Sequence, residues 1–211
     1  VVARETAAPP ARLVFEEAAG LVPLDILSEG GTVTGARLTA PEPLSTGATC
    51  ARAALAEALH LDAADIAATL HEPMVASVGL PFVMVEIASR EALRRARPDA
   101  AAFARLLPGD GLDAIYLYSR DFTPEDGAVD WTARMFAPGD GVAEDPATGS
   151  ATAALAALLA SLDPAFRDRP LAVAQGVDMG RPSLLEPIVA TGGAVTLAGR
   201  CVPVMQGEID L

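Results

Sequence analysis

The stretch Gly139-Asp-Gly-Val-Ala-Glu-Asp-Pro-Ala-Thr-Gly-Ser-Ala-Thr-Ala-Ala-Leu-Ala-Ala-Leu-Leu159 opens as a loop and closes as an almost uniformly apolar run. Ala and Leu rank among the best helix formers. A helix exposed on one side would carry a polar stripe, whereas Thr152 is the only polar side chain between Ser150 and Ser161. A helix that is apolar all round belongs inside a domain. The stretch therefore predicts a buried central helix over residues 148–161, with the rest of its domain packed round it.

The start of that helix carries the chemistry. Gly149 and Ser150 leave the first-turn N–H groups close to whatever sits above them, and these donors have no acceptor within the helix. Together with the helix dipole they suit an anion such as a carboxylate. Glu144 and Asp145 lie just upstream, placed to handle a proton or to cap the helix. The same residues also have a structural reading, with Asp145, Thr148 and Ser150 as caps and Gly149 as a point of close packing. The pattern Asp-Pro-x-Thr-Gly-Ser alone leaves both open.

Composition narrows the function. The 211 residues are 51% hydrophobic, enough to bury a core in one or two domains. Only 4% are aromatic, so that core consists mainly of Ala, Val and Leu. The net charge of −13 argues against nucleic acid or an anionic membrane surface as a partner. All 15 basic residues are Arg, which removes a Schiff-base lysine, pyridoxal chemistry and a P-loop. Without Asn there is no N-glycosylation site. His60 and His71 have no partner at metal-binding spacing, and Cys50 and Cys201 form neither a metal motif nor a disulfide framework. No metal and no cofactor are expected. His60 instead suits a helix C-terminus. The longest apolar run, at 153–160, is too short to cross a bilayer and no signal-peptide pattern is present, so the expectation is a soluble cytoplasmic protein. The first residue is Val rather than Met, from which further residues upstream are expected.

Along the chain, residues 1–12 read as a frayed end. Strands are predicted at 12–17, 20–27 and 32–38, the last two joined through Gly30-Gly31. Pro41-Glu-Pro43 reads as a crossing segment. Residues 48–59 show helical spacing, and 61–66 suggest a further helix capped by Asp62. Strands at 73–78 and 82–88 flank Gly79-Leu-Pro81. Short helices begin after Ser89 and after Asp99. Strands follow at 112–119 and 130–137, with a polar loop at 121–127 between them. After the central helix come strands at 171–175, 183–189, 194–197 and 200–205. Many strands and few, strongly buried helices indicate an α+β fold.

Glu144-Asp-Pro-Ala-Thr-Gly-Ser-Ala151 resembles the signature of the phenazine-biosynthesis (PhzF-like) isomerase family. Arg134-Met-Phe-Ala-Pro138 with Gly141 is similar to the strand and turn that lead into it. Gln175-Gly176 and Met179-Gly-Arg-Pro-Ser183 resemble the family's Q-G-x-x-M-G-R-P-S, and Phe15 to Gly20 resembles its F-x-T-x-x-G pattern with Glu17 in place of Thr. Gly199-Arg-Cys-Val and Gly207-Glu-Ile are similar to its closing strands, and Ser77-x-Gly-x-Pro81 to a turn near its cleft.

The resemblance implies a diaminopimelate-epimerase-like fold of two lobes, each a mixed sheet wrapped round a central helix, with the first lobe incomplete here. Residues 1–40 would be a remnant of the first lobe, 41–190 the second lobe, and 191–211 strands returning to the first. It also implies a cofactor-independent isomerase or epimerase that moves a proton on a small carboxylic or amino acid, working as a homodimer. Asp145 would be catalytic, handling a proton, while Thr148, Gly149 and Ser150 would bind the substrate carboxylate. Arg181 would pair with Asp145 or substrate, or else form an ordinary surface ion pair. The family's general-base glutamate and its Cys-Gly-His-Ala-Thr stretch are absent from this sequence. That absence motivates an alternative: a non-catalytic lobe that binds a small anion or is completed by another chain. A thiol racemase using Cys50 and Cys201 is a third reading, disfavoured because neither Cys lies at the helix start.

Overall fold

The structure is a computed structural model that describes residues 8–17, 20–107, 111–200 and 207. Among them, twelve strands form one sheet in the order β1-β2-β3-β12-β11-β10-β8-β7-β6-β5-β4, with β9 paired to β8. The strands are β1 Arg12–Glu17, β2 Gly20–Glu29, β3 Thr32–Thr39, β4 Ser45–Thr49, β5 Met74–Ser77 and β6 Pro81–Glu86. They continue as β7 Ile115–Ser119, β8 Trp131–Ala137, β9 Val142–Asp145, β10 Val173–Gln175, β11 Ser183–Val189 and β12 Val195–Arg200. Four helices complete the described chain: α1 Arg52–Leu59, α2 Arg90–Arg95, α3 Ala100–Leu106 and α4 Gly149–Leu162. The pairing is antiparallel except at β6–β7 and β8–β10, which are parallel. This is the expected α+β class.

The sheet curls because it has one element to enclose. Every residue of α4 from Ala151 to Ala160 is buried. The helix packs against β5 and β6 on one side and β11 and β12 on the other, although three strands separate these pairs in the sheet. Ala supplies most of that surface, so the strands approach closely, and Leu155, Leu158 and Leu159 fill the remaining space. Strand side chains alternate between faces. Phe82 and Met84 of β6 point to α4, while Val83 and Val85 join a second core beneath α1, α2 and α3. Both faces of β6, β7 and β8 are therefore covered, and these strands read as nearly continuous apolar runs rather than alternating ones.

Several local expectations hold at their capping residues. Ser89 and Asp99 accept the N–H groups of Ala92 and Ala102 at 3.1 and 2.7 Å, starting α2 and α3. His60 ends α1 in the left-handed conformation at φ 52°, its Nδ1 3.2 Å from the Arg97 carbonyl. Other expectations are corrected. Residues 48–59 are not one helix, because an exposed edge strand, β4, occupies 45–49 before α1 begins. Asp62 caps only a single 3-10 turn, Ala63–Asp65, since its partner Asp65 closes a capping box and Ile66 turns back to bridge Ile87. The strand expected at 194–197 runs on through Gly199 to Arg200 as β12. Residues 1–7 of the proposed frayed end and 201–205 of the last strand lie outside the described residues.

Candidate active site at the start of the central helix

Residues 139–148 contain a short strand as well as loop. β9 pairs with β8, setting Asp145 opposite Met135, and the chain then turns through Pro146 into α4. Neighbouring side chains of β9 point opposite ways. Glu144 points outward, where its two carboxylate oxygens accept from Nε and Nη2 of buried Arg134 at 2.7 and 2.8 Å. Nη1 of Arg134 donates to the carbonyls of Leu93, Arg94 and Ala96, closing the end of α2. Glu144 is thereby committed to a structural pair. Asp145 points the other way and is half-buried at the helix start.

The turn from Asp145 to Thr148 is held from below. The Thr148 hydroxyl donates to Asp145 Oδ2 at 2.6 Å and so does not cap α4. Gln175, at the end of β10 and fully buried, donates through Nε2 to the Asp145 carbonyl at 2.7 Å and to Thr148 Oγ1 at 2.9 Å. Its Oε1 accepts the Thr148 N–H at 3.1 Å. Thr152, the single polar residue within the buried run, donates to the Thr148 carbonyl at 2.9 Å and lies 2.7 Å from the Tyr116 hydroxyl. Burial pushes the Tyr116 hydroxyl pKa well up, and nearby Asp145 raises it further, against the hydrogen bond to Thr152. Tyr116 therefore stays protonated. Gly176 seals the underside. It adopts φ 76°, and a Cβ there would lie 2.4 Å from the Arg181 carbonyl oxygen and 2.8 Å from that of Pro146.

Above this support the helix start is open. The first intrahelical bond is Thr152 N–H to the Thr148 carbonyl. Among the described residues, no acceptor meets the N–H groups of Gly149, Ser150 and Ala151. A Cβ on Gly149 would meet Leu197 of β12 at 2.8 Å, so Gly149 does serve close packing, while its N–H remains available. A cavity of about 150 Å³ adjoins Ser150, walled by Val22, Leu38, Val78, Gly79 and Leu80. The Ser77-x-Gly-x-Pro81 turn thus reaches the helix start. A larger cavity of about 390 Å³ lies toward the other end of α4, beside Ala157, Ala160 and Ser161. Glu42 and Arg167 line it, but it lies away from the helix start, whereas the smaller cavity touches that start at Ser150.

The remaining candidates fall elsewhere. Arg181 is exposed and forms no salt bridge among the described residues, so neither the Asp145 pair nor the surface ion pair expected of it is present there. His60 caps α1, and His71 hydrogen-bonds the buried Tyr118 hydroxyl. Burial raises the pKa of the half-buried Cys50 thiol, which weakens it as a nucleophile, and Cys201 lies outside the described residues. No cluster of three metal-ligating side chains occurs among the described residues. No helix among them is long and apolar enough to cross a membrane. The sequence reading missed Gln175 and Tyr116 as parts of the site. The lone Thr152 in an apolar helix was the signal that a polar partner waits inside.

A family profile described as phenazine biosynthesis-like protein (PhzC-PhzF) matches residues 1–207. An uncharacterized isomerase of Mesorhizobium japonicum is 34% identical over 177 residues, covering 80% of this chain and 57% of the relative. The trans-2,3-dihydro-3-hydroxyanthranilate isomerase of Pseudomonas fluorescens is 31% identical, covering 82% of this chain and 57% of that enzyme. The chain thus spans somewhat over half the length of these relatives. The crystal structure of a PhzF-family phenazine biosynthesis protein from Bacillus anthracis superposes with a TM-score of 0.74 at 21% identity, covering 90% of this chain and 65% of that one.

Proposed function

Because the chain belongs to the phenazine biosynthesis-like (PhzC-PhzF) family, we propose that it forms the larger part of a cofactor-independent isomerase that shifts a proton on a small, carboxylate-bearing substrate. The observation that carries this reading is the pairing of an open helix start with a fixed carboxylate. N–H groups at Gly149 and Ser150 that meet no acceptor among the described residues sit one turn from Asp145, whose side chain is held by Thr148. The N–H groups and the helix dipole hold the substrate carboxylate. Asp145 delivers or removes the proton at carbon. The apolar walls of Val22, Leu38 and Val78 receive the body of the substrate.

A proton shift needs an acid and a base. Asp145 supplies one of them, and we assign the other to the part of the relatives' length that this chain does not span. The division into lobes at 1–40, 41–190 and 191–211, with the site facing the missing lobe, belongs to the same reading. So do a homodimeric assembly and a cytoplasmic location.

The test uses the full-length protein in D2O with trans-2,3-dihydro-3-hydroxyanthranilate, the compound in the name of one relative, and a panel of small cyclic and amino acids. Solvent deuterium should appear at carbon in the wild type. Asp145→Ala should retain its fold and lose at least ~10²-fold in that exchange, the usual contribution of a positioned acid or base. Full exchange in a folded Asp145→Ala protein would defeat the assignment. Absence of exchange with every compound, alongside tight binding of one, would favour a non-catalytic anion-binding lobe.

A further inference from the structure

We infer that Gln175 is a positioning residue for Asp145, acting through Thr148. This rests on the proton-handling role given to Asp145 above. A buried amide is costly unless its bonds are satisfied, and an apolar side chain of similar length would fill the same space without that cost. Here nearly the whole hydrogen-bonding capacity of Gln175 converges on one turn. Nε2 binds the Asp145 carbonyl and Thr148 Oγ1, and Oε1 accepts the Thr148 N–H. The Tyr116 hydroxyl, 3.3 Å from Oε1, completes the set.

The directions of these bonds are specific. Thr148 has one hydroxyl proton. Because Oγ1 accepts from Gln175, that proton is left to point at Asp145 Oδ2. The amide thus fixes three things together: the path of the turn, the orientation of the Thr148 hydroxyl and the plane of the Asp145 carboxylate. Gln175 has no exposed surface, so it touches no substrate. It acts only through the residues it holds. The anchor is firm, since β10 lies between β8 and β11, and the next residue, Gly176, packs closely against Pro146.

The experiment compares Gln175→Leu, Gln175→Glu, Thr148→Val and Thr148→Ser in the full-length protein, with trans-2,3-dihydro-3-hydroxyanthranilate as probe. Gln175→Glu keeps the shape and the accepted bonds but lacks both donors, and guards against a Gln175→Leu protein that fails to fold. We expect kcat to fall on the order of 10–100-fold in Gln175→Leu, Gln175→Glu and Thr148→Val with KM changed less than about threefold, the pattern of lost orientation. Thr148→Ser should recover most of what Thr148→Val loses. Gln175→Leu combined with Thr148→Val should be no worse than either alone. A lower melting temperature with kcat intact would overturn the proposal. Should the wild type leave the probe untouched, the compound is not its substrate, and the Asp145 carboxyl 13C signal decides the role of Gln175. Movement of that signal in a folded neutral variant, Gln175→Leu or Gln175→Met, supports positioning through Thr148, and an unmoved signal overturns it.

Discussion

Replacing Arg134 by Met removes one charge and five hydrogen bonds while leaving a side chain of similar reach. The guanidinium is almost wholly buried. It serves Glu144 with two bonds and the carbonyls of Leu93, Arg94 and Ala96 with three more. Its stem and charge also cover the face of Phe136, at 4.8 Å from the ring centre. In the variant, Glu144 becomes an unpaired carboxylate with only 17% of its side chain exposed, and the end of α2 loses its donor. Breaking a buried ion pair from one side costs about 3–5 kcal/mol. The carbonyls can turn partly to water, so about 4 kcal/mol is the expected total. At about 2–4 °C per kcal/mol for a chain of this size, the melting temperature should drop by about 8–16 °C.

Urea unfolding of the full-length protein measures the loss as a shift in midpoint at constant slope. Arg134→Met with Glu144→Leu should recover more than half of it, because an apolar pair of this kind is often as stable as the ions it replaces. Glu144→Gln alone keeps an acceptor and should cost about 1–2 kcal/mol with turnover retained. A loss below about 1 kcal/mol for Arg134→Met, or additive losses in the double variant, would refute the reasoning. Abolished turnover in a stable Glu144→Gln protein would show that Glu144 works in the site rather than beneath it.

Two further predictions follow from single residues. Gly176→Ala forces a Cβ to 2.4 Å from the Arg181 carbonyl oxygen at a φ of 76°, so it should destabilise by more than about 1 kcal/mol and disturb the Thr148 amide signal in 15N spectra. At alkaline pH, burial holds the hydroxyls of Tyr116 and Tyr118 protonated in the folded state, whereas unfolded tyrosines ionise near about 10. Above that pH the unfolded chain binds fewer protons than the folded one, so stability is whole below about pH 10 and falls as pH rises further. Tyr116→Phe should flatten the fall measured by urea unfolding between about pH 10 and 11, and an unchanged slope would contradict the burial argument.

What was legible in the sequence had a local cause. The run from Ala151 to Ala160 has no polar face, so its burial followed from composition alone. Ser89, Asp99 and His60 announce helix ends because their side chains or backbone act within a few residues. β4 was hidden because Ser45-Thr-Gly-Ala-Thr49 is an exposed edge with no alternation to reveal it. β9 was hidden because four residues inside a Gly- and Asp-rich loop become a strand only when β8 offers its edge. Gln175 and Tyr116 lie 59 residues apart in sequence, and no local pattern could show that both meet Thr148 and Thr152 in space.

The arrangement of β9 explains why adjacent acids take different roles. Side chains alternate across a strand, and β9 pairs with β8, which separates two cores. Glu144 therefore enters the layer of α2, where Arg134 waits, and Asp145 enters the layer of α4, where Thr148 waits. One peptide unit joins a structural ion pair to the carboxylate assigned to catalysis. The outer layer then fixes one end of the Asp145 backbone through Arg134 and Glu144, and the inner layer fixes the other through Gln175. A change at Arg134 should consequently reach turnover through the placement of Asp145, as well as reaching stability, although Arg134 itself lies on the far side of the strand from the site.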